Sequence, residues 1–228
     1  MKGLFVTGTD TGVGKTLVSC ALLSALKRQG YVVQGMKPVA SGCERSAQGL
    51  RNDDAQGLIQ HSSSRLPYST VNPYAFEEAV APHLLAAQSN VLIDIDFIRQ
   101  KYLEIAQQCE HVIVEGAGGW QVPLNHRQTM ADLAVALQLP VVLVVGMRLG
   151  CINHALLTYR SILDSGLPCL GWVANEIDDN MQLTSENIHS IAQRIDVPLL
   201  GRMPYSEQCD IQAMADNLDL SGYVNRNA

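Results

Sequence analysis

The amino-acid sequence predicts an α/β fold with a mostly parallel central sheet and helices on both faces. Three features predict it: short β-branched apolar runs recur along the chain, longer amphipathic stretches separate them, and a glycine-rich turn carrying Lys15 and Thr16 joins the first run to the first stretch. The runs are Leu4 to Val6, Val32 to Met36, Val112 to Val114, Pro140 to Val145, Cys169 to Val173 and Val197 to Gly201. They are nearly unbroken rather than alternating, which is the pattern of strands buried on both faces. Thr16 to Arg28, Ile95 to Gln108, Met130 to Gln138, Asn153 to Asp164 and Asn187 to Arg194 carry apolar residues at helical spacing, as helices packed on a sheet do.

A chain of 228 residues, 47% hydrophobic and 17% charged, is long enough to bury one substantial core. No repeat, low-complexity tract or Pro/Gly-rich linker divides it, so one domain over residues 1–228 is expected. The least regular segment, Ala40 to Tyr74, is rich in Ser, Asn, Asp, Gly and Pro. It is expected to pass over the strand ends as a lid or substrate wall, where open α/β sheets place their ligands.

A net charge of −6 argues against a partner such as nucleic acid, whose phosphate backbone requires clustered Lys and Arg. A small-molecule substrate is expected instead. The opening run from Met1 to Val6 is too short for a signal-peptide core or a membrane span, so a cytoplasmic protein with no membrane partner is expected. The six cysteines (Cys20, Cys43, Cys109, Cys151, Cys169, Cys209) form no C-x-x-C pair and suit a reducing compartment. The six histidines show no zinc-site spacing.

The run Gly8-Thr9-Asp10-Thr11-Gly12-Val13-Gly14-Lys15-Thr16 leaves the first strand and opens the first helix. In that context a G-K-T match predicts a nucleoside triphosphate site with magnesium. Glycines let backbone N–H groups converge on phosphate oxygens, the helix N-terminus adds partial positive charge, Lys15 reaches the outer phosphates, and the Thr16 hydroxyl can ligate magnesium. Five residues separate Gly8 from Gly14, one more than the common pattern has, so this is a variant loop.

Magnesium needs further hard oxygen ligands, and Glu115 at the end of the strand Val112 to Val114 is placed to supply one. The turn Gly116-Ala117-Gly118-Gly119 behind it lets a ligand approach the backbone closely. Asp53 and Asp54 both fall in the irregular segment, and spacing does not choose between them. Lys37 closes the second strand just before Pro38, next to Ser41-Gly42, and suits an electrostatic clamp on a transferred phosphoryl group or an anionic acceptor. Asn175 ends the strand from Gly171 with an amide able to read a nucleobase edge, and the absence of N-K-x-D favours adenine.

The motifs G-T-D-T-G-V-G-K-T, K-P-V-A-S-G, R-N-D-D-A, V-E-G-A-G-G-W, G-C-I-N-H and G-W-V-A-N occur in that order. As a set, running from about Phe5 to Pro204, they closely resemble the dethiobiotin synthetases. The resemblance implies a single-domain P-loop NTPase-like fold and an ATP- and Mg2+-dependent ligase of biotin synthesis. Its substrates would be 7,8-diaminononanoate, CO2 and ATP, and its products dethiobiotin, ADP and phosphate. The route would pass through a carbamate and a carbamic-phosphoric mixed anhydride.

Residue by residue, the resemblance implies that Lys15 holds the phosphates together with Gly12, Val13, Gly14 and Leu17. Lys37 bridges the carbamate and the γ-phosphate, and Thr16, Asp54 and Glu115 hold the metal. Thr11 and Ser41 contact the diamine, and Gly116, Ala117 and Gly118 line the nucleotide. Asn175 and Glu176, with Pro204, Tyr205 and Ser206, form the base pocket. The resemblance further implies a homodimer in which Gly150, Cys151 and Asn153 offer a helix N-terminus to the substrate carboxylate across the interface. Many relatives carry an acidic residue where this chain has Gly12.

Two competing readings share the scaffold. The cobyrinate amidation enzymes carry an added glutaminase domain, for which 228 residues leave no room. A partition-type switch ATPase carries an extra lysine early in its loop, where this chain has Thr9, Asp10 and Thr11.

Overall fold

A computed structural model describes residues 3–208 and 210–224. Met1 and Cys209 therefore lie outside the described residues. The first half runs β1 (Gly3–Gly8), α1 (Lys15–Arg28), β2 (Val33–Met36), β3 (Val39–Ala40), β4 (Glu44–Ser46), β5 (Gly49–Arg51), α2 (Asp53–His61), α3 (Tyr68–Val71), β6 (Tyr74–Ala75), α4 (Pro82–Gln88) and α5 (Ile95–Ala106). The second half runs β7 (His111–Glu115), α6 (Met130–Leu137), β8 (Val141–Met147), α7 (Cys151–Asp164), β9 (Cys169–Glu176), α8 (Thr184–Ala192), β10 (Leu199–Met203), α9 (Ile211–Asp216) and α10 (Ser221–Val224).

The central sheet has six strands in the order β10-β9-β8-β1-β7-β2, and every pairing is parallel. Successive side chains of a strand point to opposite faces, and both faces here are covered, which is why the apolar runs are unbroken. Leu4, Val6, Ile113, Val142 and Val144 pack with α1, Leu58 of α2 and Met214 of α9. Phe5, Val112, Val114, Leu143 and Trp172 pack on the other face with α5, α6, α7 and Ile188 and Ile191 of α8. Among the described residues no helix is long and apolar enough to cross a membrane.

Most boundaries fall within a few residues of those read from the sequence, and the differences have local causes. α7 begins at Cys151 rather than Asn153, because Gly150 turns the chain at φ 95° and the Cys151 amide donates to the Arg148 carbonyl. β9 continues past Val173 to Glu176 and carries Asn175 within the strand. β10 starts at Leu199 rather than Val197, and its pairing with β9 has an irregular register between Leu199 and Gly201.

The segment from Ala40 to Tyr74 is more regular than its composition suggests. It holds the antiparallel β4–β5 hairpin and the nine-residue helix α2, whose Asn52 side chain caps the Ala55 amide at 3.2 Å. Asp53 and Asp54 occupy the first turn of α2, where carboxylates meet the positive end of the helix. β3 pairs in parallel with β6, so the strap that follows β6 is anchored beside Ala40. Gly42 N–H donates to Glu78 O at 2.8 Å, which adds a second anchor.

β1 is the centre of the sheet, and Leu4 is fully buried in it. Leu4→Ala removes its contacts to α1 and leaves a cavity that parallel strands on both sides cannot fill. A loss of about 2–5 kcal/mol is expected from urea unfolding, with an unchanged m-value.

Candidate functional site

Three neighbouring strands deliver the site. β1 feeds the glycine-rich loop, its neighbour β7 ends on Glu115, and β2 beyond it ends one residue before Lys37. Because the strands are parallel, all three ends lie at the carboxyl edge of the sheet. A cleft of about 640 Å3 opens there.

The loop itself is shaped by left-handed glycines. Gly12 has φ 74° and Gly14 φ 86°, conformations that L side chains rarely adopt. A Cβ on Gly14 would also meet Asn175 Nδ2 at 2.1 Å, so this position is closed to every larger residue. A Cβ on Gly12 would meet nothing within 4 Å, and only its backbone angle favours glycine. Gly14 caps α1 without a side-chain hydrogen bond, which leaves the first amides of the helix free of intrahelical partners and turned to the cleft.

Lys15 Nζ donates to the Asp10 carbonyl at 2.8 Å, curling back over the loop. Burial, with help from neighbouring Lys37, pushes its ammonium down to about 8, although Glu115, Asp54 and Asp10 pull the other way. Lys37 is held between two carboxylates, 2.5 Å from Glu115 Oε1 and 2.8 Å from Asp54 Oδ2, and its third donor faces the Gly116 carbonyl at 3.3 Å. Burial opposes charge on Lys37, but the two carboxylates outweigh it and hold the ammonium above the ordinary lysine value. For Asp54, burial is likewise outweighed by Lys37, and its carboxyl lies below the usual aspartate value.

Glu115 is fully buried. Its Oε1 accepts from both Lys37 and the Thr16 hydroxyl, the latter at 2.9 Å, while its Oε2 has no hydrogen-bond partner. A buried carboxylate oxygen without a partner is costly, and it marks a position for a cation or a donor. The donor set of two carboxylates and one hydroxyl consists of hard oxygens that suit magnesium with phosphate oxygens completing the shell.

The cleft brings together Thr11, Gly12, Gly14, Lys15, Thr16, Lys37, Ser41, Asp54, Glu115, Ala117 and Gly118, all named from the sequence. Of the two acids, Asp54 lines the cleft and pairs with Lys37, whereas Asp53 does not line it. Val13 and Leu17 do not line it. Val13 is buried with its side chain beneath Gly8, and Leu17 packs toward the α1 core. Gly116 contributes its carbonyl to Lys37.

None of the residues expected to form a base pocket lines this cleft. Asn175 is buried, and its side-chain amide donates to the Val13 carbonyl at 2.9 Å. Asn175 is in register with Met203, the last residue of β10, so Pro204, Tyr205 and Ser206 begin the segment that leaves the adjacent strand. Glu176 forms an ion pair with Arg202. Tyr205 is exposed.

Gly150, Cys151 and Asn153 do not line this cleft. The Cys151 thiol is buried and its amide is bonded to Arg148, so neither is available to a ligand. Leu149 next to them is 97% exposed, with Leu157 and Leu163 also exposed along α7.

Sequence reasoning missed four contributors. Asn52 lines the cleft and reaches the Ser41 carbonyl at 3.4 Å, and its R-N-D-D setting was a readable helix-cap signal. Ala40, Val122 and the apolar strap Ala79-Val80-Ala81-Pro82 form the cleft's hydrocarbon wall. The only advance sign of the strap was an apolar run following Glu77-Glu78 and ending in proline.

A protein-family model described as an AAA domain matches residues 2–213. The septum site-determining protein MinD of Pyrococcus horikoshii, complexed with Mg-ADP, superposes with a TM-score of 0.62 at 14% identity, covering 100% of this chain and 98% of that one. MinD of Aquifex aeolicus gives 0.57 at 15% identity, covering 100% and 87%. These likenesses establish a P-loop NTPase-like fold. ATP-dependent dethiobiotin synthetase BioD of Xanthomonas oryzae pv. oryzae is 50% identical over 216 residues, 95% of this chain and 96% of the relative. The enzymes of the same name from Cellvibrio japonicus and Pseudomonas aeruginosa are 50% and 49% identical, each over 96% of this chain and at least 96% of their own length. With half its residues shared over nearly its whole length, and with the phosphate loop and the Lys37–Glu115–Asp54 cluster in place, this chain belongs to the ATP-dependent dethiobiotin synthetase family.

Proposed function

We propose that the chain is an ATP-dependent cyclo-ligase that converts 7,8-diaminononanoate and CO2 to dethiobiotin, releasing ADP and phosphate. The observation that carries this reading is the buried ammonium of Lys37 at the junction of a phosphate loop and an apolar-walled cleft. A kinase for an ordinary hydroxyl needs no buried cation on the acceptor side. A carbamate acceptor does, because an anion must approach a polyanion.

The bonds follow in order. One amine of the substrate adds to CO2 and releases a proton, giving the carbamate. A carbamate oxygen attacks the γ-phosphorus as ADP leaves, and the second amine then attacks the carbonyl carbon and expels phosphate, closing the urea ring. The loop amides and Lys15 hold the triphosphate, and Lys37 neutralises the carbamate and the oxygens being transferred. Ser41 and Thr11 orient the diamine, with its hydrocarbon chain against Ala79 to Pro82. Thr16, Asp54 and Glu115 would hold magnesium, which supplies charge neutralisation on the phosphates. Gly116, Ala117 and Gly118 border the phosphate chain.

Asn175, Glu176, Pro204, Tyr205 and Ser206 would form the adenine pocket. The exposed apolar side chains Leu149 and Leu157 beside the Gly150 to Asn153 turn support a homodimer that presents this turn to a partner's substrate. A cytoplasmic location suits an enzyme that draws on ATP.

Incubation with ATP, magnesium, bicarbonate and 7,8-diaminononanoate is expected to yield the cyclic urea by mass spectrometry, one per ADP formed. ADP without the urea would instead indicate a nucleotide switch. Lys37→Ala is expected to lose ring closure while still binding ATP. It also leaves buried Glu115 without its cation, a cost of about 3–5 kcal/mol. Magnesium alone is therefore expected to raise the melting temperature of Lys37→Ala more than that of the wild type, and equal shifts would remove the carboxylates from the metal site.

Lys15 adds a pH dependence. A polyphosphate beside its ammonium favours the charged form, so complex formation takes up a proton above the free value of about 8 and none well below it. Apparent affinity is expected to fall as pH rises from about 8 toward the ordinary lysine range. Calorimetry in buffers of different ionisation enthalpy reads this directly, and heats that do not vary with buffer in the alkaline range would contradict it.

A further inference from the structure

Asp10 ties together two segments that are distant in sequence. Its Oδ1 accepts from the Thr11 amide at 2.7 Å, and its Oδ2 accepts from the Arg148 guanidinium. The Asp10 carbonyl accepts from Lys15 Nζ at 2.8 Å. That carbonyl and the Thr11 N–H belong to one planar peptide unit. A carboxylate fixed in place therefore fixes the plane through the Thr11 N–H, and the plane sets the oxygen that aims the long, rotatable side chain of Lys15.

Arg148 is what fixes the carboxylate. It follows β8 directly, and its own carbonyl accepts the Cys151 amide at 3.0 Å, closing the turn into α7. One residue thus bonds the phosphate loop with its side chain and the start of α7 with its backbone. Both partners are well exposed, 42% for the Arg148 side chain and 48% for Asp10, so the pair adds little to stability. Its effect is orientation.

We propose that Arg148 is a positioning residue for the phosphate site, which acts through Asp10 on the peptide plane that directs Lys15 and joins the phosphate loop to the α7 turn. The proposal rests on the reading of this loop as the ATP site. Its deciding measurement is nucleotide binding without diamine, so failure of ring closure and failure of the proposal are separable.

Dissociation constants for MgATP are measured by calorimetry, alongside steady-state KM and kcat, for Arg148→Gln, Arg148→Lys, Asp10→Asn and the Arg148→Gln/Asp10→Asn double variant. Asn at position 10 keeps an acceptor for the Thr11 amide and removes the charge that Arg148 grips. Arg148→Gln is expected to bind MgATP about threefold to fivefold more weakly, with KM for ATP raised by the same factor. Arg148→Lys recovers at least half of the loss, and the double variant is no weaker than Asp10→Asn alone. Arg28→Gln, which breaks a comparably exposed pair with Asp216 away from the cleft, shifts none of these values. Wild-type affinity in Arg148→Gln overturns the proposal. So does a loss that is undiminished in the Asp10→Asn background, since Arg148 would then act by another route.

Discussion

The architecture of this molecule turns on one charge cluster at the floor of the cleft, the buried Lys37 held between the fully buried Glu115 and the partly exposed Asp54. Burying an ammonium and a fully enclosed carboxylate costs several kcal/mol per ion unless each finds partners of good geometry. The parallel sheet meets that need by placing the ends of β2 and β7 side by side, so that Lys37 and Glu115 emerge at the same edge. Asp54 arrives from α2, whose N-terminal position under an Asn52 cap fixes the carboxylate's direction. The cluster is satisfied only in part, because Glu115 Oε2 has no partner. A site that retains this unmatched acceptor is already biased toward a cationic ligand, and the same bias makes it a poor place for any apolar guest.

Much of this was legible in the sequence because strand ends and glycine turns leave local marks. The unbroken runs around Val6 and Val114 announced strands buried on both faces, and a chain that alternates them with amphipathic helices has few other ways to fold. Lys37 and Glu115 were readable as polar residues closing apolar runs. Asp54 was not separable from Asp53 by spacing, since the choice depends on the rotation of α2 about its axis, which the packing of Ala55 and Leu58 decides. That helix escaped notice because only two of its nine residues are buried, too few for a periodic signal. The hydrocarbon wall from Ala79 to Pro82 was equally silent. It joins the cleft through the parallel pairing of β3 with β6 and the Gly42–Glu78 hydrogen bond, long-range contacts that leave no local signature.

Asn175 shows how one side chain can serve the fold and the ligand together. Its amide is bonded to the Val13 carbonyl, and its Nδ2 occupies the space that a side chain at position 14 would need. The glycine at position 14 is therefore demanded twice, once by its φ angle and once by the tip of β9. The glycine-rich loop and the end of β9 are consequently set against each other by direct contact. A shift of either would be felt by the other, and on the proposed reading this couples the base site to the phosphate site.

Gly12 stands in a different balance. Its backbone angle favours glycine, but no atom lies where a side chain would go, so the position is sterically open and conformationally demanding. In this chain the negative groups bearing on Lys15 are Glu115, Asp54 and Asp10, and they fail to offset burial and the repulsion of Lys37. The result is a phosphate-binding lysine whose charge is only loosely retained, beside a Lys37 whose charge is firmly held. Two neighbouring ammonium groups thus differ in how firmly they hold their charge. On the proposed reading, the firmly charged one would face an anionic acceptor throughout, and the other would regain its full charge beside a polyphosphate.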